Sequence, residues 1–107
     1  MKIKILHNPR CSKSRQAAEF LEEKGVDFEI REYLKVPLNE KEIRDLVEKG
    51  IGLEEFYRGE KEIKNVEELV SELLEDPSKM QRPVIFNDTL AVIGRPTEKI
   101  LDILEAK

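Results

Sequence analysis

A chain of 107 residues with one cysteine cannot close an internal disulfide, so a single domain held by apolar burial is the natural expectation. Its 19 basic and 23 acidic residues leave a net charge of −4, which gives no general pull toward nucleic acid or an anionic membrane. No stretch approaches the roughly eighteen apolar residues of a membrane span, and Met-Lys-Ile-Lys-Ile-Leu enters a strand directly without an apolar leader; a cytoplasmic monomer is expected.

Lys2 to Leu6 reads as a short strand, central in its sheet because Ile3, Ile5 and Leu6 leave little polar face. A helix follows from about Ser12 to Lys24, with Ala17, Ala18, Phe20 and Leu21 as its apolar stripe and Gly25 as its stop. Phe28, Ile30, Tyr33 and Leu34 predict a second strand with Glu29 and Arg31 outward, ended by Pro37. A helix between two strands implies a parallel crossover. From Leu38 to Asp76 the pattern is helical. Asn39 with Glu42, and Asn65 with Glu68, carry N-cap signals for helices bearing Ile43, Leu46 and Val47, then Val66, Leu69, Val70, Leu73 and Leu74. A short turn of helix fits Leu53 to Tyr57. Pro83 to Phe86 and Leu90 to Ile93 flank Asn87-Asp88-Thr89 as a hairpin, and a last helix starts near Thr97.

The order β-α-β, helices, β-hairpin, α over residues 1–107 predicts one α/β domain with a four-stranded mixed sheet and a helical insertion at about 38–76. With a cysteine after the first strand and a proline opening the third, it matches a thioredoxin-like fold. In such folds that proline is commonly cis, so a cis bond is expected at Arg82–Pro83, against the trans form that X-Pro bonds otherwise favour.

His7 to Arg15, His-Asn-Pro-Arg-Cys-Ser-Lys-Ser-Arg, holds the only cysteine, Cys11, and the only histidine, His7. A cysteine where a strand gives way to a helix lies near unpaired N–H groups and the positive end of the helix dipole, which favour thiolate over thiol. Arg10, Lys13 and Arg15 surround it in sequence, and Ser12 and Ser14 can donate hydrogen bonds. That describes a nucleophile in an anion-binding pocket; the alternative is a small buried hydrophobe. His7 reads equally well as a structural residue at a strand end, and Ser12 and Ser14 as helix caps. Cys11 and Ser14 form C-x-x-S, so any redox cycle must borrow an external thiol. One His and one Cys cannot build a typical metal site, and no bound cofactor is expected.

His-Asn-Pro-Arg-Cys-Ser-Lys-Ser-Arg at 7–15, Arg-Pro-Val-Ile at 82–85 and Gly-Arg-Pro-Thr-Glu at 94–98 stand in the order found in the glutaredoxin-coupled bacterial arsenate reductase family, which the sequence resembles over nearly its whole length. The resemblance implies that Cys11 is the catalytic cysteine, with His7 and Ser14 keeping it ionised and held. It implies that Arg58, Arg82 and Arg95 bind the oxyanion and that Pro83 is the structural cis-proline. Guanidinium forks suit a tetrahedral oxyanion, and the same cations favour a thiolate; the plain alternative for each arginine is a solvated surface charge. The segment between Arg58 and Arg82 is shorter than in the better-studied reductases.

The function so implied is thiol-dependent reduction of arsenate to arsenite through a covalent cysteine-arsenate adduct. Glutathione is the external reductant and glutaredoxin the protein partner, with no metal, nucleic acid or membrane involved. Two other readings use the same fold: a regulator that binds the C-terminal domain of the RNA polymerase α-subunit, and a glutathione-dependent reductase of mixed disulfides.

Overall fold

The computed structural model describes residues 2–105; Met1 and the last two residues of the 1–107 domain reading lie outside them. Four strands, β1 (Ile3–His7), β2 (Phe28–Glu32), β3 (Val84–Phe86) and β4 (Ala91–Ile93), form one sheet in the order β2-β1-β3-β4. β1 runs parallel to β2 and antiparallel to β3, and β3 pairs antiparallel with β4. Among the described residues five α-helices accompany them: α1 (Ser12–Glu23), α2 (Glu40–Glu48), α3 (Leu53–Phe56), α4 (Val66–Glu75) and α5 (Ile100–Glu105). This is the mixed thioredoxin-like α/β arrangement expected, with β1 central.

Alternation along the strands divides the core between the two faces of the sheet. Ile3 and Ile5 of β1 and Ile85 of β3 pack with Ala17 and Leu21 of α1 and Ile100 and Ile103 of α5. Leu6, Val84 and Ile93 pack on the other face with Ile43, Leu46, Phe56, Leu69 and Leu73 from the helices between β2 and β3. Gly25 ends α1 at φ +68°, a left-handed conformation that a glycine adopts without a Cβ penalty.

The second strand departs from its predicted facing. It ends at Glu32, and Ile30, expected inside, is 52% exposed, while Arg31 is partly buried. Ile30 pairs in register with fully buried Ile5, but β2 is the edge of the sheet and no element closes over it there. Arg31 is instead drawn inward by an ion pair with Glu42 and by the carbonyls of Val36 and Pro37. Leu34 lies beyond the strand and is exposed, as is Leu74 of α4.

Both asparagine caps form. The Asn39 side chain accepts from the Glu42 N–H while the Glu42 carboxylate accepts from the Asn39 N–H, a reciprocal capping box, and Asn65 accepts from the Glu68 N–H. Asn39→Ala should lower stability by about 1 kcal/mol, read as a shift in the urea midpoint at unchanged slope. An unchanged midpoint would mean that α2 is held by its buried face alone.

Candidate active site

Topology brings four chain segments to one edge of the sheet. β1 and β2 run parallel, so the chain leaves both at the same end, entering Asn8 and Tyr33. Leu6 pairs with Val84 and Val84 with Ile93, so Arg82-Pro83 before β3 and Gly94-Arg95 after β4 reach that edge too. A bridge between Tyr57 and Met80, with hydrogen bonds from Arg58 N to Lys79 O and from Gln81 N to Phe56 O, ties the end of α3 to the segment leading into Arg82.

Cys11 is the N-cap residue of α1, with extended backbone (φ −94°, ψ 122°), and no side chain closes the helix. Ser12 and Ser14 are therefore not its caps. The first-turn N–H groups are left facing the sulfur, and a turn in which Cys11 N donates to Asn8 O at 3.0 Å fixes the loop. Partial burial pushes the thiol pKa up, but the Ser14 N–H, the Arg82 guanidinium and the Lys13 N–H outweigh it, and the thiol sits below its ordinary value. Alkylation of Cys11 by iodoacetamide should accordingly show a pH midpoint below that of a free cysteine thiol, and the midpoint should rise in Arg82→Ala. A midpoint at the free-thiol value in both proteins would mean that the cations do not act on the sulfur.

Arg95 ties the site together. Its Nη2 donates to Cys11 Sγ at 3.5 Å and its Nε to the Arg82 carbonyl at 2.7 Å, so one guanidinium spans the cysteine loop and the β3 loop. Gly94 N also donates to Pro83 O at 2.9 Å, and a Cβ at Gly94 would press on Ile85 Cδ1 and Pro83 Cγ; the two loops approach as closely as a glycine allows. The Arg82–Pro83 peptide bond is cis, and so is Arg95–Pro96, which the sequence did not suggest. Arg82 Nη1 donates to Ser78 O at 3.3 Å, whereas its Nε is buried without a partner.

His7 and Ser14 meet behind the loop. His7 Nδ1 lies 2.6 Å from Ser14 Oγ, which also accepts from Asn8 N at 3.0 Å. Burial lowers the imidazole pKa, the Glu32 carboxylate opposes this and Arg15 reinforces it, which leaves His7 neutral at pH 7. The fully buried Ser14 hydroxyl is thus spent on His7 and Asn8, and this residue reaches the sulfur through its backbone N–H. Arg58 is exposed, and its guanidinium makes no hydrogen bond or ion pair among the described residues; its charge acts on the Tyr33 hydroxyl. The sequence-local cations play other parts: Arg15 Nη1 holds the Pro9 carbonyl at 2.9 Å, and Arg10 and Lys13 are exposed. Tyr33, read from the sequence only as a strand residue, is 1% exposed with its hydroxyl toward Cys11, Arg82 and Asn8. Its position one residue past the end of β2, beside the cysteine loop, was the available signal.

Among the described residues no group of three His, Cys, Asp or Glu side chains could hold a metal ion, and no helix is long and apolar enough to cross a membrane. A groove of about 300 Å³ lined by Lys4, Arg31, Glu42, Lys49 and Phe86, among others, contains none of the residues around Cys11. What surrounds the sulfur can hold a thiolate and, beside it, an anion with several oxygen acceptors.

The sequence pattern of the ArsC family matches residues 6–103. The chain is 35% identical to the uncharacterized protein YfgD of Escherichia coli K12, over 95% of this chain and 96% of that one. It is 34% identical to an arsenate reductase of Neisseria meningitidis serogroup A, over 95% and 97%. Among solved structures, an arsenate reductase from Vibrio cholerae superposes with a TM-score of 0.86 at 28% identity, covering 96% of this chain and 98% of its own.

Proposed function

The chain belongs to the ArsC family, and from that premise we propose that it is an arsenate reductase that works through Cys11 and draws on external thiols. The observation that carries the reading is the placement of Arg95 on the Cys11 sulfur with Arg82 beside it, which puts a nucleophile and an anion cradle in one place. A thiolate held below its ordinary pKa attacks the arsenic of bound arsenate. A sulfur–arsenic bond forms, one arsenic–oxygen bond breaks, and the oxygen leaves as water after protonation; arsenic stays at +5. The arginines and the first-turn N–H groups of α1 offset the charge on the oxygens as this happens.

Reduction needs a second thiol, and the sequence supplies none. Glutathione fits the task. Its thiolate attacks the Cys11 sulfur, the sulfur–arsenic electron pair passes to arsenic, and arsenite at +3 departs from a Cys11–glutathione disulfide. A glutaredoxin then returns Cys11 to its thiol. No metal or bound cofactor enters this scheme, and the reaction fits a cytoplasmic monomer.

The test is arsenate-dependent oxidation of glutathione with glutaredoxin present, run beside turnover of a model glutathione mixed disulfide without arsenate. Arsenate-dependent turnover supports the reading. Turnover of the mixed disulfide alone would replace it with a disulfide reductase. Silence in both, from folded protein with an ionised Cys11, would turn attention to binding of the RNA polymerase α C-terminal domain.

A further inference from the structure

Two side-chain donors are buried without a partner among the described residues, the Tyr33 hydroxyl and Arg82 Nε, and both belong to the edge where Cys11 sits. Buried polar groups are almost always satisfied, so two orphans in one place call for a missing acceptor. Arg82 precedes β3 and Tyr33 follows β2, on either side of the central strand that ends in the cysteine loop. We propose that Tyr33 is a further anion-binding residue, its hydroxyl donating to an oxygen of the tetrahedral oxyanion held by Cys11, Arg82 and Arg95. This rests on the anion-site reading given above.

The ring and the hydroxyl have separate duties. The ring packs in the core among Leu38, Ile43, Leu73 and Met80, a place that phenylalanine would fill without stranding a donor. The hydroxyl lies where the charges of Arg82, Cys11 and Arg58 all act on it, and the Asn8 side chain approaches it as a donor to its oxygen, which leaves the O–H itself without an acceptor. Burial raises its pKa against the pull of Arg82, so it remains a neutral O–H donor at pH 7. A neutral donor adds a directed hydrogen bond to a site that already carries guanidinium charge, and that bond is strongest to a charged, unprotonated oxygen of the ligand. Buried water is the rival acceptor. The small cavity that Tyr33 lines, about 10 Å³, is otherwise apolar and offers a water few partners, so the rival water would stand at the hydroxyl beside Arg82 and Asn8, and only the anion makes the Tyr33 signal depend on phosphate.

The test compares the full-length wild type with Tyr33→Phe, using inorganic phosphate as an unreactive tetrahedral probe. The readouts are protection of Cys11 from iodoacetamide and, in wild type labelled with carbon-13 at the tyrosine Cζ, the two tyrosine signals, assigned by the variant. Phosphate is expected to protect Cys11 and to shift the Tyr33 signal while leaving Tyr57 unmoved. Half-protection of Tyr33→Phe should need about ten-fold more phosphate, with a similar rise in the KM for arsenate. Equal protection of both proteins with a stationary Tyr33 signal would overturn the proposal and leave the anion site standing. Failure of phosphate and arsenate to slow alkylation of the wild type would overturn the anion site, and this proposal with it.

Discussion

Cys11→Ser is expected to bring arsenate-dependent thiol oxidation down by at least ~10⁴-fold, to background, while the variant still binds phosphate. The nucleophile must first be an anion and later one half of a disulfide. A serine hydroxyl meets neither condition, because the N–H groups and guanidinium that hold a thiol below its ordinary value cannot ionise an alcohol at neutral pH. An oxygen centre also cannot accept the attack of glutathione that moves an electron pair onto arsenic. The proposed anion cradle, by contrast, draws on Arg82, Arg95 and the first-turn N–H groups, none of which the substitution removes. Binding is measured by titration calorimetry with phosphate and turnover by glutathione oxidation. Turnover above about one per cent of the wild-type rate would rule out Cys11 as the nucleophile.

The expected retention of binding reflects how the site is distributed along the chain, and the distribution decides what the sequence reveals. Features set by neighbours in sequence are legible: the two asparagine caps, the Gly25 stop, the hairpin at Asn87-Asp88-Thr89 and a cysteine at the mouth of a helix all follow from local geometry. Arg10, Lys13 and Arg15 mislead for the same reason. They crowd Cys11 in sequence, yet the cations at its sulfur are Arg95, 84 residues away, and Arg82, both brought there by strand pairing. Periodicity cannot tell an edge strand from an inner one, which is why Ile30 is exposed where alternation placed it inside. Nor can it separate a core tyrosine from one whose buried hydroxyl is turned toward Cys11; Tyr33 becomes conspicuous only when its hydroxyl is seen without a partner. Arg58, Arg82 and Arg95 stand out in the sequence through the resemblance, and Arg82 and Arg95 also because each sits beside a proline in a loop flanking the hairpin. The structure gives each a different environment, with Arg95 on the sulfur, Arg82 holding a free buried Nε, and Arg58 exposed on its loop.

Those environments rank the arginines, and Arg95→Ala should be the most damaging arginine truncation, lowering kcat/KM for arsenate by about 10²–10³-fold. The side chain acts twice. Its Nη2 faces the sulfur and, in the proposed complex, would face the oxygens on which charge develops during attack; its Nε holds the Arg82 carbonyl and so ties down the backbone that carries the Arg82 side chain. Truncation removes one donor outright and loosens the other. Arg95→Lys keeps the charge but cannot reach two acceptors with a planar fork, so it should fall between wild type and alanine. Arg58→Ala, which removes a guanidinium bonded to nothing among the described residues, should change kcat/KM least. The pH midpoint of Cys11 alkylation separates the two actions of Arg95. A rise in Arg95→Ala close to that in Arg82→Ala would show that Arg95 works mainly by placing Arg82, whereas a smaller rise with full loss of turnover would assign its effect to the transition state. An Arg95→Ala enzyme with wild-type kcat/KM would remove this residue from the chemistry and leave its contact with the sulfur a feature of packing.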